Sequence, residues 1–222
     1  MHCYQGESRE DAEEAGVSAT RLMVLGVVRM QGRTHGYQVR RELLSWNADK
    51  WGNIKPGSIY HALKKMAAQG LLREVDPETG TGPDRTTYEL TGDGDREFLD
   101  LLTASLAESR DDTQGGADFQ AAVAFLPCLQ RAMAVSLLGH RRTRLEGQRA
   151  AIADATERST EWGQPAHIGS LYRMWAGQLD ASIEWTSDEI RRLESGELVM
   201  ADDEEASFGA PPAKTAGSDA KR

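Results

Sequence analysis

Cysteine is nearly missing: Cys3 and Cys128 are the two in 222 residues. A pair so far apart in sequence builds neither a disulfide framework nor a zinc-ligand cluster, so both are expected as reduced thiols. Long hydrophobic runs are missing too. The longest, around Leu22 to Val28 and Ala121 to Pro127, reach about seven residues, where a membrane-spanning helix needs roughly 20. No membrane span is expected. The first 18 residues hold one basic side chain, Arg9, against Glu7, Glu10, Asp11, Glu13 and Glu14. That reverses the pattern of a secretory signal and predicts a cytoplasmic protein. Aromatic residues make up 6% of the chain and hydrophobic residues 39%, with mean hydropathy −0.55. This is a soluble globular composition in which flexible parts dilute the core.

Catalytic constellations are also lacking. The five histidines (2, 35, 61, 140, 167) are scattered, and no Gly-x-Ser-x-Gly or phosphate-loop pattern occurs. The acids at Asp202 to Glu205 read as a solvated run. Neither an enzyme nor a metal or organic cofactor is expected.

What is present is unevenly spread charge. The net charge is −9, yet residues 19–92 hold eleven Lys or Arg against seven Asp or Glu, a net of +4 that leaves −13 for the remainder. A basic block in an acidic chain suits a nucleic-acid partner, and equally ordinary surface variation. Residues 1–18 and 198–222 are aperiodic and rich in acids, Gly, Ala or Pro, and are expected to be disordered. Asp111 to Ala117 (DDTQGGA) marks a boundary between a unit at 19–110 and a helical unit at 117–197.

Inside the basic block, Leu22 to Met30 predicts a short helix apolar on all sides, hence buried, stopping at Gly32. Tyr37, Val39, Leu43, Leu44 and Trp46 predict a second helix with Arg40 and Arg41 toward solvent. Pro56 opens a third, in which Ile59, Leu63 and Met66 form one apolar stripe and Gly70 the C-terminal stop. The period then becomes extended over Leu71 to Val75 and Thr86 to Leu90, a hairpin with a long tip at 76–85. Thr91 caps a following helix through Leu106. The C-terminal half reads as a short helix halted at Pro127 and two long helices. The first carries a seam through Ala134, Leu138, Arg141 and Leu145, and the second a stripe from Ile168 to Leu193. They should pack antiparallel.

Three helices followed by a hairpin is the winged helix-turn-helix arrangement, in which the third helix enters the major groove and the hairpin lies on flanking backbone. The face opposite Ile59, Leu63 and Met66 carries Ser58, Tyr60, His61, Lys64 and Lys65. These are hydroxyls and an imidazole for phosphates or base edges, and ammonium groups for phosphates. Taken alone, the same residues also fit an ordinary solvated helix face.

Three ordered blocks, GYQVRREL (Gly36 to Leu43), GSIYHALKKMAAQGLL (Gly57 to Leu72) and RTTYELTGDG (Arg85 to Gly94), together resemble the signature of the PadR family of bacterial transcriptional regulators. The resemblance covers residues 19–106 and, more loosely, the C-terminal helices. It implies a mainly α protein: an N-terminal winged helix-turn-helix with a two-stranded wing, then an α-helical dimerisation domain. It implies a homodimer that binds double-stranded DNA, as an effector-responsive repressor on an inverted-repeat operator. Carried over to this chain, DNA contact falls to Ser58, Tyr60, His61, Lys64, Lys65 and the wing at Arg85, with Tyr37 and Arg40 on the second helix. The wing departs from the family in placing Asp76, Glu78 and Asp84 beside Arg85. The family also implies a small aromatic or lipophilic effector, for which Trp46, Trp51, Tyr172 and Trp175 are the expected stacking residues, chosen from a set that includes Trp162 and Trp185. The competing reading is a winged-helix adaptor for proteins, with DNA binding lost.

Overall fold

The structure, a computed structural model, describes residues 9–52, 54–75, 86–107, 116–159 and 161–203. It is mainly helical, with one small antiparallel sheet after the first helix and a helical C-terminal half. Helix α1 (Arg9–Gln31) opens the chain. It starts inside the segment 1–18 that was expected to be disordered; residues 1–8 lie outside the described residues. A run rich in Glu and Ala, with its acids near a helix N-terminus, supports a helix as readily as coil. Within α1, Leu22, Met23, Val24, Leu25, Val27 and Val28 are all fully buried. At about 1.5–3 kcal/mol for each large side chain, that burial fixes α1 as the centre of the fold.

Strand β1 (Thr34–His35) follows, then α2 (Gly36–Ser45), a single turn α3 (Ala48–Trp51) and α4 (Pro56–Ala68). Pro56 occupies the first turn, as its missing N–H allows. The end of α4 is a Schellman motif: Gly70 adopts φ +75°, its N–H donates to the Ala67 carbonyl at 3.0 Å, and the Leu71 N–H donates to Met66 at 3.0 Å. This turn feeds strand β2 (Leu72–Val75), which pairs with β3 (Thr87–Leu90) in the register Leu72↔Leu90 and Val75↔Thr87. The two-stranded wing gains a third strand, because β1 pairs with the far edge of β3 (Thr34↔Tyr88, His35↔Thr87). Two residues are too few to show alternation, so that strand has no signal in the sequence. The hairpin tip, 76–85, is outside the described residues.

Thr91 caps α5 (Gly92–Ala107): its Oγ accepts the Gly94 N–H at 3.1 Å, and its hydroxyl proton points at the carbonyls of Gly70 and Leu71, at 2.7 and 3.0 Å. Gly94 is needed for a different reason. A Cβ there would sit 2.1 Å from the Leu71 carbonyl oxygen, so a larger residue would push α5 off the wing.

The C-terminal half comprises α6 (Ala117–Ala124), a 3-10 turn (Leu126–Cys128), α7 (Arg131–Arg158) and α8 (Ile168–Glu194). α7 and α8 run antiparallel: Arg149 Nε meets Asp180 at 2.8 Å, while Arg131 at the start of α7 reaches the Leu193 carbonyl near the end of α8 at 2.6 Å. The buried core does not divide at 111–117, of which 111–115 are outside the described residues. Phe125, Leu126, Ala134, Leu138, Ile190 and Leu193 join α1, α4 and α5 in one cluster. That cluster also includes Met200, within the C-terminal segment expected to be disordered. The chain is held in place as far as Asp203 because Arg131 gathers it. Its guanidinium donates to the Leu198 carbonyl at 3.0 Å and to Asp203 at 2.6 Å, and Asp202 accepts the Arg131 backbone N–H at 2.9 Å. Residues 204–222 are outside the described residues.

Candidate nucleic-acid interface

The geometry of α4 follows from its stripe. Ile59, Leu63 and Met66 are buried to within 1% of completely, which turns Tyr60, His61, Lys64 and Lys65 outward; all four are exposed. Ser58 is half-buried, and its hydroxyl donates to the Lys55 carbonyl at 2.7 Å. Its proton is thus already engaged, and what it offers a ligand is an acceptor oxygen. Tyr60 serves two purposes at once. Its ring lies on Gly36, where a Cβ would fall 2.8 Å from Tyr60 Cε1, yet 42% of the residue stays exposed. Gly36 therefore sets how closely the start of α2 approaches α4.

Tyr37 is exposed on the first turn of α2, and Arg40, one turn later, is half-buried. On the wing, Arg73 of β2 is exposed but occupied by Glu89 of β3 at 2.8 Å. Arg85 lies outside the described residues. The wing is tied to α2 through His35, which caps that helix: the Gln38 side chain accepts the His35 backbone N–H at 2.9 Å, and His35 Nδ1 is 3.1 Å from the Thr87 hydroxyl. α4 packs against both α2 and the first wing strand, so these side chains sit on neighbouring elements.

Behind the helix-turn-helix lies a cavity of about 720 Å³. Its inner wall is Trp46, the C-cap of α2, and Trp51, the last residue of α3. The two are joined by the Trp51 indole N–H donating to the Trp46 carbonyl at 3.0 Å. The outer wall is Phe119 of α6, Arg141 of α7 and Trp185 of α8. Phe119 and Trp185 meet edge to face at 5.6 Å, and the Arg141 guanidinium lies 3.6 Å over the Phe119 ring with 3% of the residue exposed. Among the described residues no Asp or Glu lines this cavity. Two of the expected stacking residues, Trp46 and Trp51, thus come together. Tyr172 and Trp175 touch each other, tilted by 58° with ring centroids 5.8 Å apart, and ten residues of helix, about 15 Å, separate Trp175 from Trp185. Phe119 and Arg141 are not among the effector residues expected from the sequence. An arginine at a seam position, where an apolar residue is the rule, was the available signal.

Cys128, whose thiol faces Arg29, is buried; burial pushes the thiol up from its ordinary range against the opposing pull of that guanidinium. It stays protonated at neutral pH. Among the described residues no cluster of His, Cys, Asp and Glu could hold a metal ion, and no helix is long and apolar enough to cross a membrane.

Residues 24–100 match the family model of the transcriptional regulator PadR-like family. These residues, α2, α4, the wing and parts of α1 and α5, form a PadR-like domain. No curated protein matches the chain. Among solved structures, Bacillus subtilis PadR in complex with operator DNA is 18% identical, with 78% of this chain and 98% of that one covered and a TM-score of 0.36. A PadR-like transcriptional regulator from Bacillus cereus is also 18% identical, over 80% and 99%, with a TM-score of 0.33. Bacillus subtilis PadR in complex with p-coumaric acid is 16% identical, over 79% and 99%, with a TM-score of 0.34.

Proposed function

We propose that this chain, with its PadR-like domain at residues 24–100, is a DNA-binding transcriptional regulator that acts as a homodimer on an inverted repeat and is released by a small aromatic effector. The carrying observation is α4: a helix buried along Ile59, Leu63 and Met66 that presents Tyr60, His61, Lys64 and Lys65 to solvent. The ammonium groups meet phosphates, and His61 or Tyr60 reads a base edge. A wing at the same face supports backbone contact.

The effector reading rests on the cavity. Three tryptophans and Phe119 suit a planar aromatic ring, and the Arg141 guanidinium in the wall favours an anionic substituent over a cationic one. Repression is the mode that fits a ligand wedged behind the helix-turn-helix, since it re-aims the DNA-binding face. The test is a mobility shift on the DNA upstream of the protein's own coding region at two salt concentrations, repeated with 8-anilinonaphthalene-1-sulfonate as an aromatic anion. A shift that weakens steeply with salt, and weakens again with the probe, is the expected result. A protein that shifts no DNA at low salt is an adaptor instead.

A further inference from the structure

Phe125 ends α6 as its C-cap and is fully buried. Its ring fills the notch at Gly26 of α1, where a Cβ would lie 2.3 Å from Phe125 Cζ. On one side it meets Trp46 edge on at 5.6 Å and 65°, and on another Phe98 of α5 at 5.5 Å and 88°. Trp46 is in turn a wall of the cavity behind the helix-turn-helix. A column of three rings therefore runs from the cavity wall, through the first residue after α6, to the core of the PadR-like domain. We propose that Phe125 is a positioning residue that transmits occupancy of the cavity to the DNA-binding face. This rests on reading the cavity as the effector site.

The argument is one of packing. An aromatic ligand stacked on Trp46 shifts an indole whose backbone carbonyl is held by Trp51, so the shift appears at the ring edge. Phe125 has no slack over Gly26 in which to absorb it, because interiors are close-packed and pass displacement on. The displacement reaches α1 and α5 on one side and the end of α2 on the other, and α2 carries Tyr37 and Arg40. Phe125→Leu keeps an apolar side chain in the notch but removes both edge contacts, leaving the column broken.

The experiment uses the full chain, the upstream DNA fragment and 8-anilinonaphthalene-1-sulfonate. In the unmodified protein, saturating probe is expected to weaken DNA binding at least tenfold. In Phe125→Leu the probe should bind within threefold of its original affinity while the weakening of DNA binding falls below twofold. A tenfold weakening that survives in Phe125→Leu overturns the relay while leaving the effector reading intact. Probe affinity that collapses in the variant also overturns it, making Phe125 a residue that shapes the cavity. If the unmodified protein binds probe with no effect on DNA, the effector reading fails and the relay falls with it. Should Phe125→Leu not fold by thermal melting, Phe125→Met is measured in its place against the same thresholds.

Discussion

At the scale of single residues, helical period separates what was legible from what was not. Ile59, Leu63 and Met66 repeat at steps of four and three, so their burial and the exposure of Lys64 and Lys65 follow from spacing alone. Arg141 shows the opposite case: spacing places it on the seam, but nothing in the chain says that an aromatic from another helix will lie under its guanidinium. Tyr172 and Trp175 failed to join Trp46 and Trp51 for the same reason, since which turn of α8 faces α3 is set by tertiary packing. Lys64→Ala is expected to lower DNA affinity on all sequences alike and to flatten the plot of log affinity against log salt by about one unit. Salt titration of the mobility shift measures this, and an unchanged slope removes Lys64 from the phosphate contacts. Gly94→Ala addresses the fold. Its Cβ would press on the backbone oxygen of Leu71, which cannot swing aside. A loss of roughly 2–3 kcal/mol in urea unfolding is expected, the upper part of the range for overpacking; a loss under about 0.5 kcal/mol, the range of an ordinary surface change, would mean that the wing shifts freely.

At the scale of elements, α2, α4, α5 and the hairpin were all readable because each carries its own start and stop: Pro56, Gly70 and Thr91 mark them chemically. The elements that escaped notice are held by distant partners. Strand β1 exists because β3 offers a free edge, and residues 198–203 are ordered because Arg131, some 70 residues earlier in the chain, collects two carbonyls and a carboxylate from them and their neighbours. This clasp has a pH signature. The Met200 backbone N–H, at 2.7 Å, and then the Arg131 guanidinium hold the Asp203 carboxyl below its ordinary value. A group whose folded pKa is depressed contributes stability above its unfolded pKa and loses it as pH falls through the folded one. The clasp should therefore be intact at neutral pH and weaken below about pH 4. Melting curves of the original protein and Asp203→Asn from pH 7 to pH 2.5 check this. The variant should be less stable at pH 7, with the two converging in acid, and a difference that is independent of pH would exclude the carboxylate as the cause.

At the scale of the whole molecule, the remaining apolar surface asks for a partner. Leu171 and Met174 are exposed by 41% and 50%, and their separation of three residues, about one turn, puts them on one side of α8. α7 already covers the side of α8 that carries Leu179 and Thr186, so a second surface is left bare. Apolar stripes of this kind on a soluble chain mark interfaces. A two-fold axis beside α8 would bring two copies of α4 onto one face of DNA, with the half-sites about 34 Å apart, one turn of the duplex. The joint replacement Leu171→Glu with Met174→Glu puts charge on that stripe without touching α4 or the wing. In sedimentation at micromolar concentration the original chain should run as a dimer and the double variant as a monomer. The monomer loses the effective concentration that one bound half-site confers on the other, so its DNA affinity should fall about 100-fold or more. A double variant that sediments as a dimer would move the interface elsewhere, whereas a monomer that binds the operator as tightly as the original would mean that each copy reads DNA alone.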